Sequence, residues 1–221
     1  MAEPKAERVF DAYEITAIIV PGASLLLGLW LLDRGVLPAA LEPKDVSLGA
    51  FGLFVLAAFC VGHIVQAPAN AIVDLSWRIF GRPTEKMRRK GCGLADEQVD
   101  RIPGQVSAVL KIGVSLDEPD SQWRPVTAQM AVAVANAGRD ARLQKFNGNY
   151  GLFRGLAMSL VLICIAATLQ RQWPAAALAL AAAWAVRFRM KRFSGHYARE
   201  LWLQFLAMAG DDKAVASGAA T

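Results

Sequence analysis

The chain has 221 residues, of which 55% are hydrophobic and only 19% charged, with a mean hydropathy of +0.32 and a formal charge of +5. A soluble domain carries about a quarter charged residues and rarely reaches this balance, which points away from a large soluble core. Three cysteines, Cys60, Cys92 and Cys164, give no paired disulfide framework, and two histidines cannot supply a three-histidine zinc site.

The N-terminal segment, residues 1–14, mixes four acids with two bases and lacks the cationic start of a cleavable signal peptide. It is read as a cytoplasmic N-terminus followed by a retained signal-anchor. The apolar run Ile15–Leu32 is the first of four expected spans, and Leu48–Ala67 is the second. Both are long enough for a hydrocarbon core of about 30 Å at about 1.5 Å per helical residue. Pro21-Gly22 lies in the middle of the first run, where the missing proline donor predicts a kink, a candidate gating element. The connection Asp33–Ser47 is short and contains two prolines.

The second run ends in a polar series, His63, Gln66, Asn70 and Asp74, whose spacing places it along one helical face if the helix passes Pro68. His63 and Asp74 are the candidate acid/base pair of this chain, since an ionisable group within a span is a functional candidate by default. The plainer reading is an interfacial histidine followed by a solvated helix.

Residues 68–150 form an expected cytoplasmic helical insert. It opens with an amphipathic helix over Ala69–Phe80, ended by Gly81-Arg82-Pro83-Thr84. Arg88, Arg89 and Lys90 follow in a basic cluster that suits anionic headgroups or a phosphate. Leu94–Gly113 reads as a helix broken at Pro103-Gly104, with short strands over Val106–Val114 as an alternative. An acidic turn spans Ser115–Asp120, and a helical stripe runs from Val126 to about Phe146. Asn147–Gly151 reads as a hinge into the third span. The insert is expected to be continuous with the spans rather than a tethered globular domain.

The second hairpin, residues 151–186, holds the third span, Gly151–Leu169, and the fourth, Trp173–Val186, joined by Gln170-Arg171-Gln172. Arg154 sits at the mouth of the third span, where its long side chain can reach headgroup phosphates. The fourth span is so rich in alanine that it is expected to be buried, in the chain's own bundle or between subunits. Residues 187–221 begin with Arg187, Arg189, Lys191 and Arg192 alternating largely with apolar residues. They continue as an amphipathic helix that can lie on the membrane or dock on the insert, and end in a disordered tail from Asp211.

Cation placement orients the whole. With both termini and the insert in the cytoplasm, 21 of the 24 Lys and Arg residues lie inside, leaving Arg34, Lys44 and Arg171 outside. The expected fold is therefore an all-α integral membrane protein of the cell inner membrane, with four transmembrane helices as two hairpins, a mainly helical cytoplasmic insert and a C-terminal amphipathic helix.

No P-loop, dinucleotide glycine fingerprint, Cys-x-x-Cys, His-Glu-x-x-His or Gly-x-Ser-x-Gly is present. No cofactor or metal is implied, and the positive-inside pattern accounts for the charge without nucleic acid. The plan resembles small bacterial inner-membrane proteins and, in outline, the membrane effectors of bacterial antiviral systems. That likeness is one of architecture and transfers no site residue. The expected function is a non-enzymatic homo-oligomer that answers a cytoplasmic protein or small-molecule ligand, as a pore-forming or permeability-altering effector. The alternatives are a membrane-embedded enzyme acting on lipid headgroups, using His63 and Asp74, and a passive scaffold. The expected partners are the anionic bilayer surface and further copies of the chain.

Overall fold

A computed structural model describes residues 12–33 and 48–218. The N-terminal segment up to residue 11 and residues 34–47, with Arg34 and Lys44, lie outside the described residues. Most of those described are helical and none is in a strand; over Val106–Val114 the helix runs to Leu110 and the remainder has no regular structure. The helices are α1 (Ala12–Leu32), α2 (Leu48–Phe80), α3 (Pro83–Lys86), α4 (Asp96–Asp100), α5 (Ile102–Leu110), α6 (Asp120–Asn136), α7 (Ala141–Leu169) and α8 (Trp173–Gly218). They divide into two compact units, one holding the chain up to Val73 together with Gly148–Lys191, the other Asp74–Asn147 together with the chain from Arg192.

In the first unit, α1 and α2 meet backbone to backbone. A Cβ added to Gly22 would stand 1.8 Å from the Ala58 carbonyl oxygen, and one on Gly62 would stand 2.1 Å from that of Ile18. Only glycine permits this approach, and small residues at such crossings let helix backbones pack closely. Gly28 plays the same part against Ile163 of α7, at 2.3 Å from its Cδ1. The turn between α7 and α8 is made by Arg171 in the left-handed region at φ 58°, and the Gln172 N–H donates to the Ala167 carbonyl at 2.8 Å. The Gln172 side chain then donates to the Leu32 carbonyl at 2.9 Å, satisfying the last turn of α1.

Two helices, the one beginning at Leu48 and α7, are long and apolar enough to cross a membrane, and α1 contributes a shorter apolar stretch, Thr16–Leu32. The most apolar 18-residue windows of the two long helices have mean hydropathies of 2.2 and 2.1, yet only 17% of each window is buried. A core helix of a water-soluble fold would be mostly covered by protein; these are not. In α8, Ala176, Ala179 and Ala183 form a buried stripe while Leu178, Leu180 and Trp184 are exposed. Burial of the alanine-rich segment within one chain is thus confined to a single face.

The second unit has its own core. Trp123, Met130, Val134, Ile102, Val106, Trp202 and Phe205 are all fully buried. Trp123 and Trp202 lie 5.8 Å apart between ring centroids, and each indole N–H is satisfied, by the Ser115 carbonyl at 3.1 Å and the Thr84 carbonyl at 2.8 Å. The insert is therefore helical as the sequence implies, but it is a packed unit rather than a mere extension of the spans. The C-terminal part of α8 completes it by docking Leu201, Trp202 and Phe205.

Three local features differ from the sequence reading. The Ala69–Phe80 helix and the second apolar run are one helix, because Pro68 lies inside α2 without ending it. The stop comes at Gly81, whose φ of +72° and bond to the Trp77 carbonyl close the helix ahead of Pro83. The stripe starting at Val126 ends at Asn136, with Gly138 at φ +69°, and α7 begins at Ala141 and passes unbroken through the expected hinge at 147–151. Finally, α8 continues to Gly218, beyond Asp211 where a disordered tail is expected.

Candidate functional site

The first unit contains a polar cluster among apolar helices, and it starts from Pro21. A proline has no N–H, so the carbonyl four residues earlier, that of Ala17, loses its helical donor. Gln66 of α2 supplies one: its Nε2 donates to the Ala17 oxygen at 3.0 Å and lies 3.4 Å from the Gly151 oxygen. The Gln66 Oε1 in turn accepts from Arg154 Nε at 3.2 Å and Nη2 at 3.1 Å. Fully buried Ser159 donates to the Pro21 carbonyl at 2.8 Å. Gly155 leaves room for the proline ring, since a Cβ there would stand 2.7 Å from Pro21 Cγ. α1 runs on through Pro21, and its freed carbonyl is satisfied by a neighbouring helix, as apolar surroundings require.

Replacing Gln66 by leucine removes the donor to Ala17 and the acceptor of Arg154 together. The expected cost is about 2 kcal/mol, from leaving the Ala17 carbonyl without a donor and the half-buried Arg154 without its acceptor. Thermal unfolding of the purified variant, followed by tryptophan fluorescence, checks it.

Arg154 also lies 5.5 Å over the Tyr150 ring. No carboxylate is near in sequence: 48–73 and 148–191 contain no Asp or Glu at all. Beside Arg154 opens an apolar cavity of about 750 Å³, lined among others by Ile72, Val73, Met158, Trp184 and Arg187.

The sequence matches no family model, and no curated protein or solved structure matches it. The geometry alone therefore carries the functional reading.

The polar series leaving the second run does not form one cluster. Gln66 turns inward to the network above. His63 is exposed, its ring edge-on to Phe59 at 4.6 Å, and Asn70 and Asp74 are exposed, Asp74 belonging to the other unit. Among the described residues, no group of three or more His, Cys, Asp or Glu is placed to hold a metal.

The basic cluster of the second unit is engaged within its fold. Arg88 is buried, donates to the Leu116 carbonyl and to Asp120, and lies 5.4 Å over the Trp123 ring. Arg89 reaches both oxygens of the same carboxylate, at 3.0 and 3.1 Å. Partial burial raises the pKa of Asp120, but the hydrogen bonds from Arg88 and Arg89 outweigh it, and the net shift is downward. Lys90 pairs with Asp100 at 2.9 Å, and that hydrogen bond raises the lysine pKa. Of the cations expected to touch headgroups, these three thus already have carboxylates. Arg189 lies 5.6 Å over Phe153, and Lys191 and Arg192 are exposed. Arg187, at the cavity rim, has no carboxylate partner among the described residues.

Sequence reasoning passed over Gln66 as a cap and Ser159 as a donor. The signal was present, because a proline inside an apolar run demands a donor for the carbonyl four residues before it, and few polar residues lie in the neighbouring runs to provide one.

Proposed function

We propose that this chain is a non-catalytic inner-membrane protein of four spans, arranged as two hairpins, with both termini and the second unit in the cytoplasm. It acts as a homo-oligomer in which the second unit receives a cytoplasmic protein or small ligand and the membrane unit answers by altering permeability. The observation that carries this reading is the contrast between the two units. The second buries two tryptophans and an aromatic–aliphatic core completely, whereas the long apolar helices of the first leave most of their surface uncovered by protein. Such a surface suits lipid or another copy of the chain, and the exposed Leu178, Leu180 and Trp184 of α8 lie on it. The headgroup-enzyme alternative gains no such support, with His63 packed on Phe59 and no carboxylate bonded to it.

The native cysteines provide the test. Cys92 is exposed in the second unit, while Cys60 and Cys164 lie in the apolar helices. In intact spheroplasts a membrane-impermeant maleimide is expected to leave the protein unlabelled, and permeabilisation should expose Cys92 alone. Labelling of Cys92 from outside would reverse the orientation, and release of the protein by alkaline carbonate would remove it from the membrane. The native mass in nanodiscs, followed by ion flux from liposomes, then tests the permeability reading; a strict monomer without flux would overturn it.

A further inference from the structure

We propose that the apolar groove of the first unit is a specific site for an anionic membrane phospholipid, with the headgroup phosphate on Arg154 and Arg187 and one acyl chain lying along α8. The inference rests on the membrane reading above and assigns a ligand to one part of it.

The groove has a volume of about 750 Å³, within the roughly 300–1,000 Å³ of sites that enclose small molecules. Its wall is almost wholly carbon, from Ala177 and Ala181 of α8 to Val161 of α7 and the exposed ring of Trp184. Its polar groups are the two guanidiniums, both where α7 and α8 approach the limits of this unit at Gly148 and Lys191. Among the described residues, Arg154 has hydrogen bonds only to a neutral amide oxygen, and Arg187 has no carboxylate partner. The stretches 48–73 and 148–191, from which the groove is lined, contain no acid. Two guanidiniums at the head of an apolar trough match a phosphate followed by hydrocarbon, since arginine binds phosphate oxygens in a bidentate, charge-assisted fashion.

The dimensions select a lipid rather than a soluble phosphate. Ala177 and Arg187, ten residues apart on one helix, are separated by about 15 Å along its axis at about 1.5 Å per residue. That is comparable with one leaflet of a hydrocarbon core about 30 Å thick. A headgroup at the arginines then sits at interface depth, with its chain running along α8 towards Ala177. Basic pockets between spans on the cytoplasmic side bind anionic headgroups in this manner. The alanines keep the trough open: larger side chains at 177 and 181 would fill it.

The test uses the full-length protein, extracted in mild detergent, delipidated, and returned to increasing phosphatidylglycerol or phosphatidylcholine, with bound lipid read by native mass spectrometry. Wild type is expected to hold one phosphatidylglycerol per chain and to prefer it to phosphatidylcholine by about tenfold or more, as loss of a charge-assisted contact implies. Arg187→Gln should abolish that preference, and Ala181→Trp should lose the bound lipid. Arg171→Gln, at the other end of α7, should leave both unchanged. Arg154 is left intact because it also holds Gln66. Equal retention of the two lipids, or wild-type phosphatidylglycerol binding in both Arg187→Gln and Ala181→Trp, would overturn the site and leave a non-specific lipid belt. A tightly held soluble phosphate compound in place of lipid would also overturn it. Elution of each variant as wild type establishes folding, and carbonate extraction of native membranes tests membrane residence separately. A protein that resists carbonate but holds no defined lipid defeats this inference alone.

Discussion

Gly62→Ala is expected to be among the most damaging single-methyl changes this protein can receive. The added carbon meets the Ile18 carbonyl oxygen at 2.1 Å and the Ile18 Cγ2 at 2.9 Å. The first of these is backbone, in the middle of a helix, and cannot swing aside as a flexible side chain could. The helices must separate, and separation also loosens the Gly22–Ala58 contact one turn away, because both glycines serve the same crossing. Overpacking of a well-filled interior costs about 1–3 kcal/mol and occasionally more, and here the upper end applies. A loss of about 3 kcal/mol corresponds to a fall in midpoint of about 6–12 °C for a chain of this size. The control is built in: Gly49 and Gly52 of the same helix have nothing within 4 Å of an added Cβ. Gly52→Ala should leave the midpoint unchanged or raise it slightly, since alanine is the better helix former. Differential scanning fluorimetry of the three proteins in one detergent decides it, and equal midpoints for Gly62→Ala and Gly52→Ala would mean that α1 and α2 do not cross in this way.

The second large effect is expected at Asp120, the first residue of α6. Removing its carboxylate as Asp120→Ala leaves Arg88, whose side chain is only 5% exposed, as a buried cation held by one carbonyl. Breaking a buried pair from one side costs about 3–5 kcal/mol, and the 28% exposure of Asp120 places this case near the lower figure. The pair also makes the second unit acid-sensitive in a defined direction. The Asp120 pKa is held below its ordinary 3.8 by Arg88 and Arg89. Its contribution is therefore complete above that value and is lost as pH falls through the lower, folded-state pKa. Wild type should lose midpoint as the pH falls below 4 more steeply than Asp120→Asn, which begins less stable at pH 7 and converges on it in acid. Parallel acid limbs for the two proteins would show that the carboxylate contributes no pH-dependent stability.

The helical character of the fold was legible from the sequence wherever apolar residues run together or recur at helical spacing. α1 and α7 end at Leu32 and Leu169, where the apolar runs end, and the basis is chemical: the polar residues that follow cannot continue a buried face. Prolines were less legible. Pro68 looked like an interruption, yet it lies inside α2, whereas Gly81 and Gly138, which accept positive φ, are the actual stops. The second unit's core could not be read from pattern. It joins Trp123 to Trp202 across 79 residues of sequence, and no local periodicity encodes such a pairing. The partners of the basic cluster were not legible for a related reason. Arg88 and Arg89 look free in sequence because their carboxylate, Asp120, is more than thirty residues away. In the candidate site, Arg154 and Arg187 were visible as cations flanking apolar runs, but the groove between them exists only because α2, α7 and α8 come together.

The glutamine that closes α1 has a consequence for how the protein is made. The Leu32 carbonyl finds its donor in Gln172, 140 residues later, and the Pro21 carbonyl finds Ser159, 138 residues later. A ribosome adding about 5–20 residues per second needs roughly seven to thirty seconds to cover that interval. During it α1 lacks these two donors. On the membrane reading proposed above, the nascent chain is most exposed to membrane proteases, and most in need of an insertion factor, before α7 and α8 emerge. Truncation ahead of Ser159 should leave a product that is degraded rather than stored.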